Sequence, residues 1–318
     1  MFAADTNTND GFKMIVLTDL SSNTYAEIVP HCGGILHSFN VMHNHSLLNV
    51  IDSYDSLEDF ESNVATKGFK SCKLSPFACR INNARYRFGE KEYMVGKFLL
   101  NGSALHGLLY DMPFEVIYLY ADDEHAGVAL QYNYRGTDNG YPFHFDCAVT
   151  YHLKKDNELI ISTDIFNKDE GLIPIQDGWH PYFTFGGKID DLQLEFQSKG
   201  KIVFDKKMIP TGKISPYEEF GALKKIGETI FDDCFKLDFA ECQPLCVLRD
   251  PDQKIQVEIR PDKHYPFLQL YTPPHRNSIA IENLSAAPDC FNNGIGLVIL
   301  PPQGNMVFNT SYTITLLK

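Results

Sequence analysis

An all-β fold, one large antiparallel domain arranged as a sandwich or barrel-like double sheet, is what this sequence predicts. Three observations carry the prediction. The 318-residue chain is rich in residues that suit a pleated, half-buried surface, with 16 Tyr and 23 Phe against a single Trp. Apolar and polar residues alternate in many short runs closed by turn signals. Helical periodicity is scarce, and there is no βαβ rhythm, internal repeat or low-complexity linker. No shift in composition divides the chain, so residues 1–318 read as a single domain, with residues 1–11 a polar, frayed N-terminal tail.

In chain order, Met14-Thr18, Tyr25-Val29 and Gly34-Asn40 alternate as strands of a meander, with Gly33-Gly34 as a turn. Ser56-Leu57-Glu58-Asp59 has the spacing of a capping box, with Asp in place of Glu, and predicts one short helix. Strand-like runs then follow at Phe114-Tyr120, Gly127-Tyr134, His144-Leu153, Leu159-Asn167, Leu192-Phe196, Ile202-Phe204 and Lys254-Ile259. Asp138-Asn139-Gly140 and Lys155-Asp156-Asn157 punctuate them as turns. Pro216-Ile226 is the one further stretch with a trace of helical spacing. Near the C-terminus Phe267-Tyr271 and Ser278-Glu282 alternate on either side of a Pro-Pro turn. Period two places Ile279 and Ile281 on one face of the second run and Ser278, Ala280 and Glu282 on the other. A carboxylate beside two small side chains suits the floor of a groove.

A net charge of −13 excludes nucleic acid or an anionic membrane as the main partner, since both require basic patches. No window supplies the roughly 18 apolar residues of a membrane helix. The N-terminus lacks a basic segment followed by an apolar run, so a cytoplasmic location is expected. Eight cysteines lie scattered without any CxxC, Cys242 and Cys246 being the nearest pair, which fits reduced thiols. His43-Asn44-His45 would set two imidazoles on one face of a strand, but no third ligand at metal spacing accompanies them, and no metal site is expected. There is no Gly-rich phosphate loop and no GxSxG elbow.

Four further places carry chemistry-bearing side chains. In Asp177-Gly178-Trp179-His180-Pro181-Tyr182-Phe183, the proline holds His180 in an extended conformation among rings. That histidine is either a core residue satisfied by backbone or a group presented to a ligand. Gly107 after His106 permits a close approach. Arg80 interrupts an apolar run, either paired at an edge or offering its fork of donors. Asp232 and Asp233 sit between Phe231 and Phe235, where most acid pairs are solvated turns. Arg85, Arg87, Arg260 and Arg276 are most simply solvated or ion-paired.

Taken together, CRI at 79–81, LHG at 105–107, GWHPYF at 178–183, DDCF at 232–235 and the block FLQLYTP…SIAIEN…PDCFNNG…LPPQG from 267 to 304 resemble the aldose 1-epimerase (galactose mutarotase-like) family. The resemblance spans nearly the whole chain in order. It implies a β-supersandwich of large antiparallel sheets with a few short helices. It also implies a mutarotase that interconverts α and β anomers of a hexose such as galactose or glucose, without metal or cofactor, as a monomer or homodimer. Carried over residue by residue, it makes Glu282 the general base and His180 the general acid. Arg80, His106 and Asp232 would bind sugar oxygens, with Asp233 an adjacent rival to Asp232, and Gln269 would line the pocket. The sequence departs from the family in reading IEN after the glutamate where many members read IEP.

Anomer exchange requires a proton to leave the C1 hydroxyl while another reaches the ring oxygen. A carboxylate and a protonated imidazole on opposite sides of the ring supply both. Nearby carboxylates would hold His180 protonated near neutrality. Two rival readings keep the pocket. A hexose-6-phosphate 1-epimerase would need arginines such as Arg85 or Arg276 at its far end. A non-catalytic sugar-binding protein would need no acid–base pair at all.

Overall fold

The computed structural model describes residues 1–240 and 243–318. Among them the strands pair antiparallel throughout and form three large sheets. The first is a five-stranded meander of Phe2–Asn9, Phe12–Asp19, Thr24–Val29, Ile35–His43 and Ser46–Asn49. The second has nine strands, with His125–Arg135, His144–Lys154, Glu158–Asn167 and Asn305–Leu316 at its centre. The third has eight, and in it Ser198–Phe204, Asp232–Leu237, Phe267–Tyr271, Ile279–Leu284, Gly178–Trp179 and Lys73–Leu74 lie side by side. This is the large-sheet antiparallel architecture that the alternating runs predict.

The third sheet positions the site. Its residues divide by period two: Phe235, Leu268, Leu270, Ile279 and Ile281 are fully buried in the main core, where Val128, Val149 and Ile161 of the nine-stranded sheet also lie. Burying each such side chain is worth about 1.5–3 kcal/mol, which fixes the register. A one-residue slip would turn every one of them outward. The opposite face is then obliged to carry the alternate residues. In the register, Cys234 faces Gln269 and Gln269 faces Glu282, while Asp232 faces Tyr271 and Tyr271 faces Ala280.

Three local expectations are corrected. Residues 1–11 are not a frayed tail. Phe2–Asn9 pairs along its whole length with Phe12–Asp19, Phe2 is buried, and Asp10 and Gly11 close the hairpin with φ of 49° and 82°. An Asp-Gly pair with both φ positive is the tight turn that antiparallel strands favour. Residues 216–226 form no helix, only the short strand Lys224–Lys225 against Gln193-Leu194. Tyr217 and Phe220, whose spacing imitates a helix, both stack on Phe196. His43 and His45 do not share a strand face, because the strand ends at His43 and Asn44-His45 make the turn, both with positive φ.

The helix expected after Ser56 is Leu57–Asn63, with the Ser56 side chain accepting from the Asp59 N–H. The box is not reciprocal, since Asp59 accepts instead from the Asp55 N–H at 3.1 Å. Cys242 lies outside the described residues, and the seven other cysteines are buried free thiols. Among the described residues no helix is long and apolar enough to cross a membrane.

Candidate active site

A cavity of about 350 Å³ opens over the polar face of the eight-stranded sheet. Arg80, His106, His180, Asp232, Gln269 and Glu282 all line it, brought together from five stretches of chain. Glu282 and Gln269 come from neighbouring strands at one register level, and Asp232 from the next strand over. Gln269 Nε2 donates to Asp232 Oδ1 at 3.2 Å. Asp233 points to the other face and pairs with Lys201 at 3.3 Å, so strand alternation separates the two acids.

His180 is held by backbone clamps on both sides. Its N–H donates to the Cys72 carbonyl at 3.1 Å, and its carbonyl accepts from the Ser71 N–H at 2.8 Å. Its ring stacks on Tyr182 at 5.1 Å and 3°, and meets the His106 ring edgewise at 5.1 Å. Tyr182 is fixed in turn by donating its hydroxyl to the Gly68 carbonyl at 3.0 Å. His106 and Cys79 face each other at a ladder end, with the His106 N–H donating to the Cys79 carbonyl at 2.9 Å. Both residues are left-handed, φ 59° and 52°, a strained backbone of the kind that clusters at functional sites. Gly107 is needed beside them, since a Cβ there would lie 2.4 Å from the Ser75 carbonyl oxygen. Arg80 is anchored by the segment Pro288–Asn293: its carbonyl accepts from the Asp289 N–H, and Asp289 Oδ1 accepts from the Asn82 N–H.

At the buried end of the cavity His180 Nε2 lies 3.5 Å from Glu282 Oε1, with the residues 5% and 1% exposed. A pyranose cannot pass between them, so both groups reach the cavity from one wall rather than from opposite sides of a sugar. Burial, reinforced by the charge of Asp232, pushes the Glu282 carboxyl well above its usual range. Burial lowers the His180 imidazole to about 3, opposed only by a backbone hydrogen bond, which runs against the expectation that nearby carboxylates keep it protonated. His106 is likewise pushed down by burial, then by His180 and Arg80. Burial and Asp233 raise Asp232, against the opposing pull of Arg80. The His180 and Glu282 shifts run in opposite directions and favour a proton on the Glu282 carboxyl over one on the His180 imidazole.

Four buried polar atoms of this cluster have no hydrogen-bond partner in the protein: His106 Nδ1, His180 Nδ1, Gln269 Oε1 and Glu282 Oε2. Leaving such atoms unmet costs about 1–3 kcal/mol each, so a ligand rich in hydroxyls would recover much of that. Rings complete the walls, namely Phe69, Tyr182, Phe204 and Tyr271. Tyr182 is one of the rings already noted around His180, whereas sequence reasoning missed Tyr271, which stands two residues beyond Gln269 on the same strand face. Ser278 and Ala280 are buried and do not line the cavity, and Ser278 donates to Asp52 at 2.6 Å. Arg85 and Arg276 do not reach the cavity. They pair with Glu92 and Asp190 respectively.

Large antiparallel sheets, one of whose polar faces gathers carboxylates, imidazoles and rings in a single cavity, make up the site of this all-β protein. The family model "Aldose 1-epimerase" matches residues 16–313, and the chain belongs to that family of isomerases, which act on sugars. Among its relatives, the uncharacterised protein YihR of Escherichia coli is 28% identical over 71% of this chain and 73% of its own. The maltose epimerase of Levilactobacillus brevis is 23% identical over 60% of this chain and 63% of its own. In fold the chain is similar to a galactose mutarotase-like protein from Clostridium acetobutylicum, with a TM-score of 0.88, 16% identity and 99% of both chains covered. It is also similar to the galactose 1-epimerase of Lactobacillus acidophilus, with a TM-score of 0.81, 18% identity, and 100% of this chain and 99% of that one covered.

Proposed function

We propose that the protein interconverts the α and β anomers of a hexose such as galactose or glucose by general acid–base ring opening, with Glu282 as base and His180 as acid. The observation that carries this reading is the carboxyl–imidazole pair, 3.5 Å apart at the buried end of a sugar-sized cavity. The shared proton passes from Glu282 to His180 as the sugar's hydroxyls donate to the carboxylate and stabilise its charged form. Glu282 then takes the proton of the C1 hydroxyl while His180 gives its proton to the ring oxygen, and the C1–ring-oxygen bond breaks. After rotation about C1–C2 the aldehyde closes on its other face and the two groups exchange roles. Arg80, His106, Asp232 and Gln269 hold the remaining oxygens in place.

Polarimetry on freshly dissolved α-D-galactose, α-D-glucose and maltose tests the reading, which fails if no aldose equilibrates faster than in buffer alone. His180→Asn should lower kcat by about 10² to 10⁴-fold while Tyr182 and the backbone clamps keep the site's shape. An active His180→Asn would remove the histidine from the mechanism. The pH profile gives an independent check. The free enzyme's pair gains a second proton only near pH 3, where His180 charges, and loses its one proton above the ordinary carboxyl range, where Glu282 ionises. The profile of kcat/KM should therefore show no acid limb at the usual imidazole pKa of about 6.5. A sharp fall below that pH would show that His180 titrates as an exposed imidazole does.

A further inference from the structure

Neither imidazole of the site is oriented in the usual way. An active-site histidine is ordinarily held by a hydrogen bond from one ring nitrogen to a carbonyl or carboxylate, which fixes its plane and leaves the other nitrogen to react. Here the buried atoms His180 Nδ1 and His106 Nδ1 have no hydrogen-bond partner on any other residue. The 3.5 Å between His180 Nε2 and Glu282 Oε1 is too long to lock the ring. The planes of the two imidazoles are therefore set by packing.

That packing forms a closed circuit. Tyr182 lies parallel to His180, His180 meets His106 edgewise, and the His106 ring packs on Phe69 with centroids 4.6 Å apart. The chain itself closes the circuit, since the Tyr182 hydroxyl donates to the carbonyl of Gly68, the residue before Phe69. A Cβ at Gly68 would lie 2.5 Å from that hydroxyl oxygen, so glycine is what lets the tyrosine reach the carbonyl. Phe69 and Ser71, neither of them glycine, have left-handed backbones, φ 55° and 56°, a costly conformation that persists only where its surroundings hold it. Three bonds do so. The Phe69 N–H donates to the Val64 carbonyl at 2.8 Å, the Cys72 N–H to the Phe69 carbonyl at 3.0 Å, and the Ser71 N–H to the His180 carbonyl at 2.8 Å.

We propose that Tyr182 is a positioning residue: tethered to Gly68, its ring sets the plane of His180 and so aims Nε2 at the ring oxygen of the sugar, while Phe69 steadies His106 at the other end of the circuit. The inference rests on the mutarotase reading and deepens it by adding a residue that acts through the acid. A stack, unlike a hydrogen bond to Nδ1, aligns the imidazole without fixing its tautomer. The face of a phenol ring also favours the imidazolium that forms when the proton arrives. Tyr182 has its hydroxyl engaged by Gly68 and one face by His180, so both of its strongest means of gripping a sugar are spent inside the protein.

Tyr182→Leu removes the stack and should lower kcat about 10²-fold, the effect of displacing a reacting group by about 1 Å, while calorimetry finds the affinity for the aldose within a few-fold of wild type. Tyr182→Phe keeps the stack and loses only the tether, and should lower kcat about 2 to 10-fold, as for one neutral hydrogen bond. The decisive comparison is made in His180→Asn, where a residue that acts through the imidazole has nothing left to align. His180→Asn/Tyr182→Leu should be no slower than His180→Asn alone. A loss that multiplies with that of His180→Asn, or one that falls on affinity with kcat unchanged, shows that Tyr182 grips the sugar or merely supports the fold, and overturns the proposal. A Tyr182→Phe protein as fast as wild type overturns it too, and this variant carries the same cycle if Tyr182→Leu does not fold. A wild type that equilibrates no aldose would instead sink the mutarotase reading. Crystal structures of the two variants then decide the circuit separately: a His180 ring turned out of its plane supports it, and one still 3.5 Å from Glu282 in both overturns it.

Discussion

Glu282→Gln should lower turnover by about 10² to 10⁴-fold while leaving sugar affinity within a few-fold of wild type. The amide has the shape of the carboxyl and still faces Gln269 across the register, so the cavity keeps its walls. It can still donate a hydrogen bond to His180 Nε2, 3.5 Å from the carboxyl oxygen, but it cannot exchange a proton with it or take one from the sugar. Because the two groups act as one acid–base unit in the proposed mechanism, the loss should not be additive with that of His180→Asn. The double variant should be about as slow as either single one, as happens when residues act together. Polarimetry on an anomerically pure aldose reads the rate, and calorimetry reads the affinity. A Glu282→Gln protein that turns over like wild type removes the glutamate from the role of base, and one that no longer binds sugar shows that its carboxylate holds the ligand rather than the proton.

Much of this site is legible from period two. Ile279 and Ile281 announce a core face, and that alone obliges Glu282 to point the other way, where the cavity lies. His180 before Pro181 reads as non-helical, and it stands between the short strands Gly178–Trp179 and Tyr182–Phe183. The choice between Asp232 and Asp233 is not legible, because it depends on which face of the Asp232–Leu237 strand meets the core, and Phe235 settles that only once the neighbouring strand is in place. The protonation of His180 is not legible either. It depends on the depth of burial, which sequence does not show and which here pushes the imidazole down. The first hairpin was within reach: Asp10-Gly11 signals a tight turn, but the polar run Asp5–Asp10 masks the strand, whose edge position leaves those side chains in water.

Lys73→Met should destabilise the fold by about 3–5 kcal/mol, the cost of leaving one buried charge without its partner. Lys73 and Asp177 are both fully buried, with Lys73 Nζ 2.5 Å from Asp177 Oδ2. Tyr265 donates its hydroxyl to the same oxygen at 2.7 Å, and the ammonium also donates to the Gly178 carbonyl at 3.2 Å and lies 4.4 Å from the centre of the Trp179 ring. The pair ties Lys73–Leu74 to Gly178–Trp179, the strand that leads directly into His180. Burial already raises the Asp177 carboxyl, against the opposing pull of Lys73 and Tyr265, and loss of the ammonium raises it further. A carboxyl whose folded pKa lies above its unfolded value binds its proton more readily when folded, so stability falls as pH rises through that range. The deficit of Lys73→Met should therefore be smaller at pH 5 than at pH 8. Lys73→Met/Asp177→Leu removes both charges and should recover most of the loss, short of about 1–3 kcal/mol for the Tyr265 hydroxyl left unmet. Urea denaturation at the two pH values measures all of this. A deficit in Lys73→Met that does not change with pH, or a double variant no more stable than the single, would show that shape and not charge holds these two strands together.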